Sequence, residues 1–215
     1  MKISILYSSN EHPIYPWLES WAKRRANDFA VELANVKSDL SGGDILFLIS
    51  CNEIVDVAVR SLYGAALVIH ASDLPEGRGW SPHIWQILEG KNHIMVTLLD
   101  AEDKIDSGNI WAQRELRLEG HELFDEINSK LFTVELELMD FAVANFGNIV
   151  PYEQDVRKPT YYPKRTPEDS RINPGKTLAE QFDLLRVTDS NRFPAFFDFR
   201  GHRYYVQLSK ERNQP

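Results

Sequence analysis

The stretch DILFLISCNEIVDVAVRSLYGAALVIH (Asp44–His70) decides the fold class. It holds two continuous apolar runs, DILFLIS and AALVIH. Between them lies a segment that places Ile54, Val55, Ala58, Val59 and Leu62 on one helical face, with Gly64 as its stop. Neither run alternates apolar with polar residues. Unbroken apolar runs mark strands buried on both faces, and a helix joining two of them builds a right-handed βαβ unit in a parallel sheet.

The same pattern extends outward. Upstream, KISILY (residues 2–7) reads as a first strand, and YPWLESWAKRRA, with Trp17, Leu18 and Trp21, as a helix. FAVELA fits either a short second strand or a helix end. Downstream, SPHIWQILEG is a short helix begun by Ser81, with Pro82 at its first position and Gly90 at its end. HIMVTLLDAE is expected as the next parallel strand. The longest helix lies in HELFDEINSKLFTVELELMDFAVANFG, where Leu123, Phe124, Ile127, Leu131, Val134, Leu138 and Phe141 recur at three- and four-residue spacing before Gly147. Residues 1–148 therefore read as one α/β unit with a Rossmann-like parallel or mixed sheet.

The composition then shifts. VPYEQDVRKPTYYPKRTPEDSRINP is rich in proline, tyrosine and polar residues, as expected of an extended segment ordered by contact. KTLAEQFDLLRV follows as a short helix, and FPAFFDFRGHRYYVQLS as a β-hairpin turning at Arg200-Gly201. Residues 149–215 form a small C-terminal extension of loop, helix and hairpin.

Bulk properties narrow the function classes. The 215 residues carry 24 Lys and Arg against 32 Asp and Glu, a formal net charge of −8. A chain that coats phosphates normally has a basic excess, so neither nucleic acid nor membrane is an expected partner. The basic run VRKPTYYPKR (156–165) is either a solvated loop or a local binding patch. No apolar run approaches the roughly 20 residues that span a bilayer. MKISILYSSNEHP is a core strand rather than a signal peptide, and the single Cys51 suits a reducing cytoplasm.

Several chemistries lack their motifs. Neither G-x-G-x-x-G nor G-x-x-x-x-G-K-[ST] occurs, so phosphates are not cradled after the first strand. H-E-x-x-H and C-x-x-C are missing, and His12, His83, His93, His121 and His202 are scattered, so no metal is expected. A serine nucleophile elbow is missing too. What stands out is VIHASDLPEGRGWSP (68–82): a strand ending on His70, then a loop stiffened by Pro75 and Pro82 and opened by Gly77 and Gly79. In open sheets, ligands bind beyond the carboxyl ends of strands. Asp106, after the next strand, is placed to meet His70 there. The pair admits two readings. A carboxylate beside an imidazole prepares it for proton transfer; alternatively, His70 satisfies a loop and Asp106 makes a turn with Gly108.

The segment His70–Gln113 resembles the folate-dependent formyltransferases, whose pattern is Asn-x-His-x-Ser-x-Leu-Pro-x-x-Arg-Gly and later a Thr-bearing strand followed by Asp-[ST]-Gly. His70, Ser72, Leu74, Pro75, Arg78 and Gly79 fit the first part; Thr97, Asp106, Ser107 and Gly108 fit the second. The resemblance covers residues 40–148 well and the first 40 loosely. It implies formyl transfer from 10-formyltetrahydrofolate to an amine, with His70 relaying the amine's proton and Asp106 orienting His70. It also implies folate contacts from Ser72, Leu74, Pro75, Arg78, Gly79 and Asp103. One position departs: Val68 stands where the family has asparagine, and valine cannot donate a hydrogen bond to the developing oxyanion. Asn52, at the end of the preceding strand, is the candidate substitute; its other reading is a helix cap. The departure leaves open a retired site that binds folate or sugar without turnover.

The acceptor is read from the tail. The family's methionyl-tRNA enzymes carry a separate RNA-binding domain, which residues 149–215 are too few to form. The tail resembles that of sugar N-formyltransferases at Lys164, Arg165, Glu168, Asp169, Arg186, Phe193, Pro194 and Phe197. That resemblance implies an amino sugar on a nucleotide, and a homodimer, with glycinamide ribonucleotide as the alternative acceptor. Tyr161 and Tyr162 would stack on a base or sugar and Lys164 and Arg165 would meet phosphates, unless all four pack the tail onto the core.

Overall fold

Along the strand Gly43–Ile49 (β3), Ile45, Phe47 and Ile49 face one side and Leu46 and Leu48 the other, and all five are buried. A strand with two apolar faces needs a layer on each. In the computed structural model, which describes residues 1–211, it receives both. The last residues of the predicted extension, 212–215, lie outside those described.

The sheet contains Lys2–Tyr7 (β1), Ala30–Ala34 (β2), β3, Tyr63–His70 (β4), and, past the short strand Arg78–Gly79 (β5), His93–Asp100 (β6) and Ile110–Arg117 (β7). Its order is β2-β1-β3-β4-β6-β7. The first four strands run parallel. On one face, Tyr15–Arg25 (α1) and Phe124–Asn145 (α4) bury Leu18, Trp21, Leu138 and Met139 against Ile3, Ile5, Ile45 and Phe47. The other face is a smaller cluster of Leu6, Leu46, Leu48, Val55 and Tyr63. Arg24, Arg25 and Lys23 in the last turn of α1 suit the negative end of its dipole.

The structure corrects three expectations. The helix drawn through residues 52–64 is a single turn, Val57–Arg60 (α2), capped by the Asp56 side chain rather than by Asn52. Of its predicted apolar face only Val55 is buried, while Ile54 and Leu62 are 74% and 55% exposed. The strand begins early at Tyr63, whose buried hydroxyl donates to Ser4 Oγ. Gly64 thus ends no helix; a Cβ there would lie 2.8 Å from the Phe146 ring. Second, β6 runs antiparallel to β4, so Asp106 follows an antiparallel strand. Third, IWAQRELR was not foreseen as a strand: β7 pairs antiparallel with β6, with an irregularity at Leu98/Leu99. FAVELA is a strand.

Pro82–Leu88 (α3) begins after Ser81, whose left-handed backbone leaves its side chain without a cap bond. Beyond α4 the chain crosses back over the core. Tyr161–Tyr162 (β8) pairs in parallel with β5. Phe182–Arg186 (α5) follows, and Ala195–Phe199 (β9) and His202–Val206 (β10) form the hairpin. Its turn residues Arg200 and Gly201 have φ of 51° and 80°, the pair of positive values a two-residue hairpin turn needs. Among the described residues, no helix is long and apolar enough to cross a membrane.

Candidate active site

His70 is the last residue of β4 and is 7% exposed. Opposite it on β6 stands Thr97, whose hydroxyl donates to the Ser72 carbonyl at 2.7 Å and draws the loop across the strand end. Leu74 is buried beneath that loop, and the Leu74–Pro75 peptide is cis. At Gly77, φ of 71° turns the chain back over the imidazole, and the Gly77 carbonyl meets His70 Nε2 at 2.8 Å.

Asp106 arrives from the β6–β7 loop despite the reversed strand. Its own φ is 52°, and Ser107 Oγ closes the turn by donating to the Lys104 carbonyl. Gly108 has no alternative: a Cβ there would lie 2.0 Å from the Asp100 carbonyl oxygen. The side chain of Asp106, 8% exposed, places Oδ1 3.6 Å from His70 Nδ1, while Oδ2 accepts from the Gly79 amide at 2.9 Å. The imidazole therefore has the Gly77 carbonyl within hydrogen-bonding distance of Nε2, while the Asp106 carboxylate faces Nδ1 from 3.6 Å, just beyond a direct hydrogen bond.

The glycine/proline loop does not leave its amides free for a ligand. Its amides instead hold the protein together. Gly77 N donates to Thr160 Oγ1, Arg78 N to the Thr160 carbonyl and Trp80 N to the Tyr162 carbonyl. A Cβ at Gly79 would lie 2.4 Å from the Tyr162 oxygen, so the tail docks only because residue 79 is glycine.

The other candidates are placed as follows. Ser72 is 1% exposed and its Oγ has no partner. Arg78, 6% exposed, donates to Gln154 Oε1 at 2.6 Å. Asp103 is exposed and accepts from Arg60 at 2.6 Å. Asn52 is exposed beyond β3, its backbone N–H donating to Ser8 Oγ. Tyr161 is exposed, and Tyr162 stacks on Trp85 with its hydroxyl on Glu89; burial and that carboxylate push the phenol's pKa upward. Lys164 Nζ lies 4.6 Å from the centre of the Trp80 ring. Arg165 turns inward, donating to the Asp169 carbonyl with its Nε unpartnered, and burial lowers its pKa. Beside the loop opens a cavity of about 550 Å³, lined by Ser72, Gly77, Gln86, Thr160, Tyr161 and Tyr162 together with Asp73, Glu76 and Glu89. His70 and Asp106 do not line it; Gly77 belongs both to its wall and to the imidazole's shell.

Two participants went unread in the sequence. Thr160 and Gln154 stand in an irregular segment, where no spacing distinguishes a residue that binds the core from one that faces solvent. Among the described residues, no group of three or more His, Cys, Asp and Glu could hold a metal ion.

The formyl transferase family model matches residues 9–143. A methionyl-tRNA formyltransferase of Rickettsia prowazekii is 35% identical over 132 residues, covering 60% of this chain and 43% of the relative. The chain thus spans less than half the length of the curated relatives it matches first. Among solved structures, methionyl-tRNA formyltransferase from Clostridium thermocellum superposes with a TM-score of 0.80 at 20% identity, over 100% of this chain and 95% of the other. A sugar N-formyltransferase from Shewanella sp FDAARGOS_354 gives 0.72 at 19%, over 100% and 99%. HypX from Aquifex aeolicus in complex with tetrahydrofolic acid gives 0.76 at 19%, over 97% and 37%. At these identities the structural likenesses establish the fold.

Proposed function

Since the chain belongs to the formyl transferase family, we propose that it moves a formyl group from 10-formyltetrahydrofolate to the amine of an amino sugar carried on a nucleotide. The carrying observation is His70, buried at a strand end with Asp106 Oδ1 3.6 Å from its Nδ1. The acceptor amine attacks the formyl carbon, forming a tetrahedral centre whose oxygen bears the negative charge. His70 takes the proton that the amine sheds, and Asp106 orients the ring and stabilises its positive form. Collapse of the tetrahedral centre breaks the bond to the folate nitrogen, which takes up a proton, and leaves the N-formyl product.

In this reading residues 1–148 do the chemistry. Folate enters the cavity that Ser72 lines, with Gly79 and Asp103 as further contacts, while the buried Leu74, Pro75 and Arg78 hold the shape of the loop. The extension (149–215) takes the acceptor, with the exposed Tyr161 as a stacking surface and Lys164 toward phosphates, while Tyr162, stacked on Trp85, and Arg165, turned inward onto the Asp169 carbonyl, pack the tail onto the core. Asn52 supplies the oxyanion donor that Val68 cannot. The protein works in the cytoplasm as a homodimer joined through the aromatic hairpin, where Phe199 and Tyr205 are 49% and 67% exposed. Light scattering that gives a monomer at micromolar concentration removes the dimer.

The test is incubation with 10-formyltetrahydrofolate and a panel of nucleotide-linked amino sugars, following folate absorbance and product mass. Methionyl-tRNA belongs in the panel as a second reading, favoured by the 35% identity to the Rickettsia enzyme. Glycinamide ribonucleotide belongs there as the third acceptor. Exclusive turnover of either reassigns the acceptor, and tight folate binding without turnover of any makes this a binding protein.

A further inference from the structure

Gln154 stands in the segment after α4, two residues past the point where Tyr152 and Ile110 exchange backbone hydrogen bonds of 2.7 and 3.0 Å. Both N–H donors and the carbonyl oxygen of its side chain are engaged. Nε2 donates to the carbonyls of Asp106 and Gly108, both at 2.9 Å, and Oε1 accepts from Arg78 at 2.6 Å. The orientation of the amide follows from these neighbours: reversed, its NH₂ would face a guanidinium and its oxygen two carbonyls.

These three bonds join the two loops that bear the catalytic pair. Arg78 belongs to the loop whose Gly77 meets His70, and Gly79, next along, donates to Asp106 Oδ2. Gln154 thus closes a ring running Arg78–Gly79–Asp106–Gln154. Asp106 has the greater need of it. A non-glycine residue at φ 52° costs about 1 kcal/mol or more and persists only where its surroundings hold it. Gln154 grips the carbonyl of that residue and the one two places on, so it sets where the Asp106 carboxylate points.

We propose that Gln154 is a positioning residue for formyl transfer, fixing Asp106 against His70 through the Asp106 backbone. This rests on the reading that His70 and Asp106 handle the proton. No other natural side chain of this length offers two donors and one acceptor. Glutamate would keep Arg78 but set a carboxylate against two carbonyls; methionine keeps the length and offers neither donor nor strong acceptor.

The experiment uses the full chain with Gln154→Met, Gln154→Glu and Asp106→Asn. The ring ¹⁵N signals of His70 in a long-range ¹H–¹⁵N spectrum report which nitrogen carries the proton, and need no acceptor. Gln154→Met is expected to move them in the direction that Asp106→Asn does, and a spectrum superposing on wild type overturns the proposal. With an acceptor in hand, both Gln154 variants should lower kcat about 10- to 100-fold with KM changed by less than about twofold, the size a small misplacement produces. Gln154→Met should add little in the Asp106→Asn background, because the two act as one unit. Multiplying effects, or a loss confined to KM, sink it. A thermal melt keeps misfolding apart from misplacement: a lowered Tm with unmoved His70 signals makes Gln154 structural only. If His70→Asn turns over normally while Gln154→Met still moves the His70 signals, the proton-handling reading falls and the positioning stands.

Discussion

The Gly77 carbonyl lies 2.8 Å from His70 Nε2, so a glycine seven residues along the chain supplies half of the histidine's shell. Residue 77 holds that post at φ 71°. A Cβ there would also approach the Tyr162 ring to 2.9 Å and Ser72 Cβ to 3.0 Å. Gly77→Ala is therefore expected to destabilise the protein by about 1–3 kcal/mol, the cost of a strained left-handed backbone. It should also slow transfer by moving the carbonyl off His70. Chemical denaturation and steady-state kinetics check both, and an alanine variant with wild-type stability and turnover would show that the loop adapts freely.

His70→Asn should reduce turnover by about 10²-fold or more, the usual range for a group that handles a proton, and leave folate affinity nearly unchanged. Asp106→Asn should be slow too, because an amide no longer supports a positively charged ring. The double variant should cost much less than the product of the two losses. Folate titration by fluorescence with single-turnover kinetics separates these effects. Normal turnover in His70→Asn contradicts the proposed chemistry.

How much of this was legible in the sequence depends on how local the signal was. The strands at residues 44–50 and 65–70 announced themselves because burial on both faces leaves no room for polar residues. The hairpin turn was legible because Arg-Gly between β-prone runs meets a local backbone demand. The strand at 110–117 escaped because Gln113, Arg114 and Glu115 interrupt it on an edge of the sheet where only one side is well covered. The helix at 52–64 was misread because its apolar residues matched a helical period by chance, while Tyr63 was claimed by the sheet. The proximity of His70 and Asp106 was reached through their motifs, although the strand direction assumed for them was reversed; the Asp106 loop folds back far enough to reach His70 regardless. Gln154 was beyond reach, since its value lies in a contact made 46 and 48 residues away in sequence.

The missing asparagine at Val68 gives a further test. Asn52→Ala should lower kcat about 10²-fold with little change in KM if Asn52 supplies the oxyanion donor, as removal of one such donor does elsewhere. Asn52 is not the helix cap, since Asp56 fills that role, so a loss of activity cannot be put down to an unravelled turn. Wild-type kinetics in the alanine variant removes Asn52 from the site.

Stability should peak near pH 6.5, with the two sides governed by different groups. Burial in α4, with no partner for Oε2, raises Glu135 from 4.5 to about 8. Between those values the unfolded chain ionises its carboxyl and the folded chain does not, so this group lowers stability as pH rises. Burial, with Arg192 nearby, lowers His12 from 6.5 to about 4; burial, with His12, His70 and Arg165 nearby, lowers His83 to about 3. Below pH 6.5 the unfolded chain takes protons that both folded histidines refuse, so they lower stability as pH falls. From 4.5 to 6.5 two histidines outweigh one carboxyl and stability climbs by roughly 1.4 kcal/mol per pH unit; from 6.5 to 8 the carboxyl acts alone and stability declines at a similar rate. Glu122 stays outside this window. Burial would raise it, but Lys130 and backbone amides hold it at about 2, so its contribution is lost only below pH 4.5. Glu135→Gln should abolish the decline above pH 6.5 and steepen the acid limb about twofold, since both histidines then act unopposed, while His83→Phe should flatten the acid limb alone. Denaturant midpoints from pH 4.5 to 8.5 read both, and a Glu135→Gln curve that still falls above pH 6.5 removes Glu135 as the cause.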